Sequence, residues 1–511
     1  MLSLKPFIFT ALVLTSGFHA SAQAAVTPYP RPVGDEVNAQ YQVKVDGVEI
    51  PSTQPVLGVG YAHFAFKGKV RVEVTSAEPI TKFDLSPHRL NLAAKAEGKT
   101  LAFEIDKPCK LHLRINGQQR FFLFADTEET NAPKAGDKGV QVLTDLGVSP
   151  SAEKVQTKQL QDAIDKVAAS KGTLVIPAGI YKTGMLNLPS GLNLYLAPGS
   201  ILKGTADPKD YVSTGEESQL LMKDAQDVRI YGRGVIDNNG MALRKTIGSK
   251  KNSTRMLATK NSRNLVMEDV ILRDAAVWCI HPMQSSDLQF RNLKIMSMTR
   301  AESGPDDGYN TDGFDPDNSS NVIMENNFIS VDDDAIAVKL NRGSERKDMS
   351  NIIFRNNVVF TMCSALKIGT EVMGGFTVRD VLFENNDVLH ADIGISAYCY
   401  RGGFAENIRW IGNHFEKTAA LPDNSPHHHF CNIYLNTRSE DSFGGIRNAL
   451  IKDNTFENFG PKNSGIRAKD ERQFIDGVVI ENLVIEGKIR KSPEDARIVV
   501  DKNVRNLRFA E

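Results

Sequence analysis

Cysteine is scarce in the sequence, and neither sign of charge is in excess. Five cysteines in 511 residues stand at wide, irregular spacings, which does not fit a disulfide framework or a cysteine-ligated zinc site. The 61 Lys and Arg residues nearly equal the 62 Asp and Glu residues, whereas a nucleic-acid-binding protein normally carries a basic excess. We therefore expect no nucleic-acid partner, and buried free thiols with at most one bridge. The cysteines are Cys109, Cys279, Cys363, Cys399 and Cys431.

Long apolar runs are also missing. After the amino terminus, no segment approaches the ~20 continuous apolar residues that a transmembrane helix needs. At the start, Lys5 precedes an apolar stretch at residues 6–14, and Ala22-Gln23-Ala24 supplies small residues for cleavage. This pattern is typical of a signal peptide over residues 1–24. We expect export to the periplasm or the extracellular space, without membrane insertion.

The sequence divides into three parts after the signal peptide. Residues 27–125 contain short runs with the alternation of half-buried strands, as at residues 41–45. About seven such runs in about 100 residues predict a β-sandwich of the immunoglobulin or fibronectin type III class. Residues 126–150 are charged, contain Pro and Gly and lack periodicity, which predicts a linker. One helical period follows at residues 160–167.

A short unit recurs through the rest of the chain. Each copy opens with Asn or Asp and continues with alternating apolar residues, and most copies start 23 to 34 residues apart. This period and the β-type alternation predict a β-helix over residues 151–511. The copies start at Asn264, Asp287, Asn321, Asn351, Asp380, Asn407, Asn448 and Asn506.

A second strand follows each copy. Its polar residues alternate with apolar ones, so they should face outward in one column across the coils. Because neighbouring coils lie ~4.8 Å apart, the column is either a solvated sheet face or a wall along which a linear polymer could lie. The predicted column consists of Ala337, Lys367, Ser396, Tyr434 and Arg467.

Carboxylates cluster where one of these strands begins. Asp312 lies 21 residues, about one coil, before Asp333, which is followed by Asp334. Nearby like charges raise one another's pKa, and two carboxyl groups with separated pKa values can act as general acid and general base in glycoside hydrolysis. Such a cluster could instead bind Ca²⁺. The residues alone leave both interpretations open.

The Asn-Thr-Asp motif at residues 310–312 and the Asp-Asp pair at 333–334 resemble those of family 28 glycoside hydrolases, the polygalacturonases and their relatives. Residues 160–181 also resemble the capping helix and first coil of that family, and the resemblance covers about residues 150–511. It implies an all-β chain with a right-handed parallel β-helix and inverting hydrolysis. It further implies Asp333 as general acid, Asp312 and Asp334 as the residues that activate water, and Asn310 as a residue that orients the cluster.

The sequence departs from the family motif beside the acid. The family's Gly-His-Gly segment corresponds to a stretch with Cys363 or Ser364 in place of the His. Lys367 is a candidate substitute on the outward column. A Lys next to Asp333 would favour the ionised carboxylate, however, which does not suit a general acid.

A second departure concerns the substrate. The family's Arg-Ile-Lys strand binds the galacturonate carboxylate, but the corresponding strand here carries Ser396 and Tyr398 and no cation. Tyr398 could stack on a sugar face, and Arg401 matches bacterial relatives. Arg467 has the missing Arg-x-Lys pattern, two coils too late. Polygalacturonate and a different acidic or neutral glycan are comparable candidates.

We predict a secreted inverting glycoside hydrolase that cleaves a polysaccharide or oligosaccharide, without a cofactor or metal, and that is a monomer. The alternatives are a polysaccharide lyase that uses Ca²⁺ and a Lys base, and a carbohydrate-binding solenoid without activity. Trp278 and Trp410 are predicted in the solenoid core, with sugar stacking as the alternative, and the His427–His429 run is predicted to form rim contacts or a solvated loop. The candidate substrate-binding residues are Asn310, Lys367, Tyr398, Arg401, Tyr434 and Arg467.

Overall fold

A computed structural model describes residues 25–56, 59–117, 120–212, 216–247, 254–297, 310–341, 346–418, 429–435 and 443–510. The predicted signal peptide, His427 and His428 lie outside the described residues. Within them, no helix is long and apolar enough to cross a membrane. All five cysteines are described and none forms a disulfide, which confirms the free thiols.

The amino-terminal part consists of two mainly antiparallel sheets, S1 and S2, that face each other across an apolar core. Only one pair in S1, between Val59–Lys67 and Arg120–Asp126, is parallel. The strands of S1 are Ala25–Pro28, Glu36–Val37, Ser52–Val56, Val59–Lys67, Phe83–Ser86, Cys109–Ile115 and Arg120–Asp126. The strands of S2 are Tyr41–Val45, Val48–Ile50, Val70–Ser76, Lys95–Glu97 and Thr100–Ile105.

The rest of the chain is a parallel β-helix with three sheets, H1, H2 and H3, as predicted. The strands of H1 are Val140–Val142, Thr173–Ile176, Asn193–Leu196, Gln226–Gly232, Arg263–Glu268, Ser286–Arg291, Ser320–Glu325, Ile352–Arg355, Thr377–Glu384, Phe404–Ile411, Gly445–Lys452, Phe474–Asp476, Val479–Glu481, Val504–Arg505 and Arg508–Ala510. The strands of H2 are Ser151–Val155, Gly179–Thr183, Ser200–Gly204, Val235–Asp237, Ile271–Arg273, Lys294–Ser297, Phe328–Val331, Val358–Thr361, Asp387–His390, His414–Phe415, Thr455–Phe456, Leu483–Ile485 and Lys488–Arg490.

Sheet H3 has two groups of strands that isolated bridges through Phe314 connect. Its strands are Leu186–Asn187, Ser218–Lys223, Arg255–Lys260, Ile280–Met283, Ile336–Leu340, Ser364–Val372, Ile393–Ala397, His429–Leu435, Ser464–Ala468 and Ile498–Val500.

Helix α1, Thr157–Ala169, confirms the helical period, because it turns Leu160, Ile164 and Val167 into the first coil. Residues 140–146 fall within the predicted linker, yet they supply the first strand of H1 and a short 3₁₀ turn. The other helical segments are α2, Gly240–Ile247, and 3₁₀ turns at His88–Leu90, Leu143–Leu146 and Pro208–Tyr211.

A second set of Asn residues, which lie in the turns after H1 strands, holds the coils in register. In these turns, the side-chain carbonyl of each such Asn from Asn357 to Asn454 accepts from the backbone N–H and the side-chain amide of the ladder Asn one coil before, at 2.9–3.1 Å. These residues are buried, so the ladder satisfies polar groups that would be costly to bury unpaired. The Asn and Asp that start the copies adopt positive φ, which their short polar side chains tolerate. The buried ladder consists of Asn327, Asn357, Asn386, Asn413 and Asn454.

The outward column of H3 begins as predicted. The prediction that Tyr434 and Arg467 belong to this column was wrong by two residues. They pair with each other in the neighbouring outward column, two residues further along their strands. Alternation fixes the face of a residue but not its partner, so both side chains still face outward and are half-buried. The observed column consists of Ala337, Lys367, Ser396, Asn432 and Gly465.

Sheet S1 packs against sheet H2. Phe122 lies with its ring centroid 4.6 Å from that of Phe328, inside a cluster shared by the two sheets. Beside it, the buried carboxylate of Asp126 contacts the ammonium of Lys294 at 2.5 Å and the guanidinium of Arg233 at 2.9 Å. The apolar contact and these ion pairs join the amino-terminal sheets to the β-helix.

At the edge of this interface, His88 of the amino-terminal part bridges two carboxylates. Its Nε2 lies 2.8 Å from Asp84, and its Nδ1 lies 2.9 Å from Glu457 of the β-helix. Partial burial would lower the pKa of His88, but the hydrogen bond with Asp84, the charge of Glu416 and the hydrogen bond with Glu457 raise it to about 9. The imidazolium therefore links the two parts of the chain.

We predict that His88→Ala lowers the melting temperature in a pH-dependent way. The pKa of His88 is higher in the folded state than its ordinary value of 6.5, so its contribution is complete below about pH 6.5 and is lost as the pH rises through about 9. Calorimetric scans across this range should show a wild-type advantage that shrinks with pH. A difference that stays constant across the range would contradict the role of the imidazolium.

Candidate active site

Three of the predicted carboxylates meet at one edge of the β-helix. Asp333 and Asp334 lie in the turn between an H2 strand and an H3 strand. On the coil before, the N–H of Gly313 donates to the C=O of Asp334 at 2.9 Å. The coil neighbour of Asp312 is therefore Asp334. The 21-residue spacing had predicted Asp333, which was wrong by one residue.

Lys339 neutralises the inner side of this cluster. Its Nζ lies 2.7 Å from Oδ2 of Asp312 and 3.2 Å from Oδ1 of Asp315, and all three side chains are buried. Burial raises the pKa of Asp312, the charge of Lys339 opposes this, and the charge of Asp334 adds to it. Lys339 was not among the residues predicted from the sequence, although alternation from Ala337 places it outward on the same strand.

Asp333 is the most accessible carboxyl group of the cluster, with a partly exposed side chain. Its Oδ1 accepts from the N–H of Asp334 at 2.8 Å, and the hydroxyl of Thr361 donates to its backbone C=O. Burial of the carboxyl group, and then the charges of Asp312 and Asp334, raise the pKa of Asp333 to about 7. This carboxyl group is therefore mostly protonated below neutral pH.

Asp334 has the opposite protonation. Its Oδ2 accepts from the ammonium of Lys367, and its Oδ1 accepts from the N–H of Ser364 at 3.2 Å. Burial alone would raise the pKa of Asp334, but the charges of Lys367 and Lys339 and a hydrogen bond from Cys363 lower it. The carboxylate is therefore ionised beside a protonated neighbour.

Lys367 does not bind the residue expected from the sequence. It binds Asp334 rather than Asp333, and although its charge lowers the pKa of Asp333, burial and the charges of Asp312 and Asp334 outweigh this effect. Cys363, from the segment that lacks the family's His, is a protonated thiol, because burial and the charge of Asp334 raise its pKa well above the ordinary value.

One metal-like grouping occurs among the described residues. An oxygen of Asp333, an oxygen of Asp334 and Sγ of Cys363 lie within 4.8 Å of one another. The ammonium of Lys367 already binds Asp334, and an added cation would meet this charge at close range. The donor set is a poor match for Ca²⁺, which prefers six to eight oxygen ligands.

The two tryptophans have different surroundings. Trp410 is fully buried and stacks on Phe383, with ring centroids 5.7 Å apart, which confirms the core prediction. Trp278 is partly exposed at the site, where Nζ of Lys339 lies 3.8 Å from its ring centroid. The core prediction was wrong for Trp278, because burial of an isolated Trp cannot be read from a single sequence.

Tyr398 stands on the coil after Lys367, whose Nζ lies 5.5 Å from the ring centroid. The phenol oxygen of Tyr398 accepts from Nδ2 of Asn432 at 3.0 Å. The ring of Tyr400 lies between those of Tyr398 and Tyr434 at 5.4 and 6.2 Å. An aromatic and amide surface thus continues from the carboxylates along the wall.

The other candidate residues lie around this surface. Asn310 stands two residues before Asp312 and is partly exposed. Arg401 is exposed, and its backbone bridges to Met373. Arg467 lies three coils beyond Lys367 along the wall.

Comparisons with known proteins agree with this geometry. Residues 168–420 match the family described as glycosyl hydrolases family 28. The chain is 25% identical over 298 residues to a probable polygalacturonase of Vitis vinifera, covering 52% of this chain and 58% of that protein. It is 24% identical over 436 residues to an exo-poly-alpha-D-galacturonosidase of Dickeya chrysanthemi, covering 72% and 70%. The chain spans less than two thirds of the first curated relatives it matches, 58–60% of their length.

A solved structure shares the fold over most of the chain. The family 28 exopolygalacturonase of Yersinia enterocolitica superposes with a TM-score of 0.56 at 17% identity, covering 87% of this chain and 94% of that chain.

We predict that Lys339→Met destabilises the protein by about 3 kcal/mol at neutral pH, because it leaves buried carboxylates without a counterion. The loss should shrink towards pH 4, where Asp312 can bind a proton instead. Urea unfolding at both pH values measures the difference, with Lys339→Arg as the variant that keeps the charge. Equal losses for Lys339→Met at both pH values would contradict the ion pair.

Proposed function

We propose, from the match of residues 168–420 to glycosyl hydrolases family 28, that the chain is an inverting glycoside hydrolase that cleaves an acidic polysaccharide or oligosaccharide. The observation that carries the proposal is the split protonation of two adjacent carboxyl groups: the pKa of Asp333 is raised to about 7 and that of Asp334 is lowered. Acid catalysis and water activation require this combination in one site.

In the proposed mechanism, Asp333 donates its proton to the glycosidic oxygen as the bond to the anomeric carbon breaks. Asp334 and Asp312 hold a water molecule, and the ionised Asp334 accepts its proton as the oxygen attacks the opposite face of the sugar. The attack inverts the anomeric configuration. Lys367 keeps Asp334 ionised, while its lowering effect on the pKa of Asp333 is outweighed by burial and by the charges of Asp312 and Asp334.

A lyase is the runner-up, and one observation speaks against it. A lyase needs a neutral base, but the charge of Asp334 holds the pKa of Lys367 well above its ordinary value although burial alone would lower it. The ammonium therefore stays protonated. A hydrolase adds water at the cleaved bond, whereas a lyase leaves an unsaturated, ultraviolet-absorbing end.

We also propose that the protein is exported and that its substrate is an acidic glycan. The signal-like residues 1–24 support export to the periplasm or the extracellular space, where a large glycan would be met. The names of the relatives, polygalacturonases and an exo-poly-alpha-D-galacturonosidase, support an acidic glycan. One chain supplies every residue of the proposed site, so a monomer suffices.

We predict that Asp333→Asn reduces hydrolysis by a factor of about 10² to 10⁴, the contribution of a general acid, while the fold is retained. Reducing ends report hydrolysis, absorbance reports unsaturated ends, and circular dichroism reports folding. Asp380→Asn is the matched control, because it makes the same change at an exposed, positive-φ position of an H1 strand where other coils carry Asn. A variant at Asp333 with most of its turnover would exclude the assigned acid.

We also predict that the pH profile depends on Lys367. In the wild type, kcat/KM should fall as the pH rises through about 7, where Asp333 loses its proton. Lys367→Met removes the main charge that lowers the pKa of Asp334, so the acidic limb of the profile should move to higher pH. Lys367→Arg keeps the charge and should move it less. A profile that Lys367→Met leaves unchanged would be incompatible with the proposed pKa split.

A further inference from the structure

We propose that Arg467 forms a carboxylate-binding subsite for an acidic sugar, three coils along the wall from Lys367. The inference deepens the proposed function, on which it rests, by naming where the substrate's charge is recognised. Arg467 faces outward from the strand Ser464–Ala468, is half-buried and pairs in register with Tyr434. The position follows from three independent features of the wall.

The first feature is the space that Gly465 leaves. A Cβ at residue 465 would lie 2.5 Å from Nε, 2.9 Å from Cζ and 3.0 Å from Nη2 of Arg467. The guanidinium therefore lies across Gly465, whose register partner is Asn432. The absence of a side chain at this one position lets the cation lie over the same outward column as Lys367.

The second feature is the charge balance of the wall. Lys367 is bound to Asp334, and Lys339 is bound to two carboxylates of the cluster. Arg467 makes no ion pair or side-chain hydrogen bond among the described residues, and its Nε is buried without a hydrogen-bond partner. A planar, partly dehydrated guanidinium without a counterion is suited to bidentate binding of a carboxylate.

The third feature is distance. Three coil spacings place the guanidinium about 14 Å along the wall from Lys367, and one spacing is close to the length of one monosaccharide. The described side chains between them are uncharged: Ser396, Tyr398 and Asn432. Asp333 precedes the strand one coil before Lys367, so the chemistry fits a glycan whose carboxylate-bearing sugar lies about four residues from the cleaved bond.

Binding can be measured apart from catalysis in the full-length Asp333→Asn protein. Calorimetric titration with hexagalacturonate and with its carboxyl-reduced counterpart compares probes that differ in charge. Adding Arg467→Gln should weaken hexagalacturonate binding by about 10-fold or more, the size expected for a hydrogen bond to a charged group. The carboxyl-reduced probe should bind with unchanged affinity.

Two further variants sharpen the test. Gly465→Ala keeps the cation but displaces its guanidinium, and it should weaken hexagalacturonate binding as Arg467→Gln does; the atoms it meets are the end of a flexible side chain, so folding should be retained. Arg409→Gln removes an exposed Arg from sheet H1 and should change nothing.

Wild-type affinity in Arg467→Gln, equal loss for both probes, or no carboxylate-dependent binding would overturn the subsite. None of these results bears on hydrolysis, which the Asp333 variants test separately.

Discussion

The site depends on the register in which the coils stack. The buried ladder from Asn327 to Asn454 ties each coil to the next through side-chain and backbone hydrogen bonds. Because strand residues alternate faces, a slip of one residue would turn every outward side chain inward. The ladder thus sets the register that places each carboxylate beside its ammonium group.

Within that frame, two ammonium groups divide the carboxylates unequally. Lys339 binds the inner pair, Asp312 and Asp315, while Lys367 binds Asp334. Asp333 forms no ion pair with either ammonium group, and its pKa is raised to about 7. The asymmetry turns a row of like charges, which would repel one another if all were ionised, into a protonated group beside an ionised one.

Much of the fold could be predicted from the sequence, since the repeat period and the alternation both report on single coils. The β-helix, helix α1 and the meeting of Asp312 with the Asp-Asp pair follow from spacing alone. Register across a long connection does not, so Tyr434 and Arg467 were displaced by two residues. The partner of Lys367 and the half-exposed place of Trp278 depend on side-chain reach across coils. The packing of sheet S1 on sheet H2 depends on contacts far apart in sequence, which no local pattern encodes.

The most direct test of the account is a difference titration. Proton uptake of the wild type and of Asp333→Asn, recorded between about pH 2 and pH 9, isolates the carboxyl group that the substitution removes. The account predicts a difference of one proton centred near pH 7. A difference centred near the ordinary value of 3.8 would contradict it, because Asp333 would then be ionised at neutral pH and could not be the proposed acid.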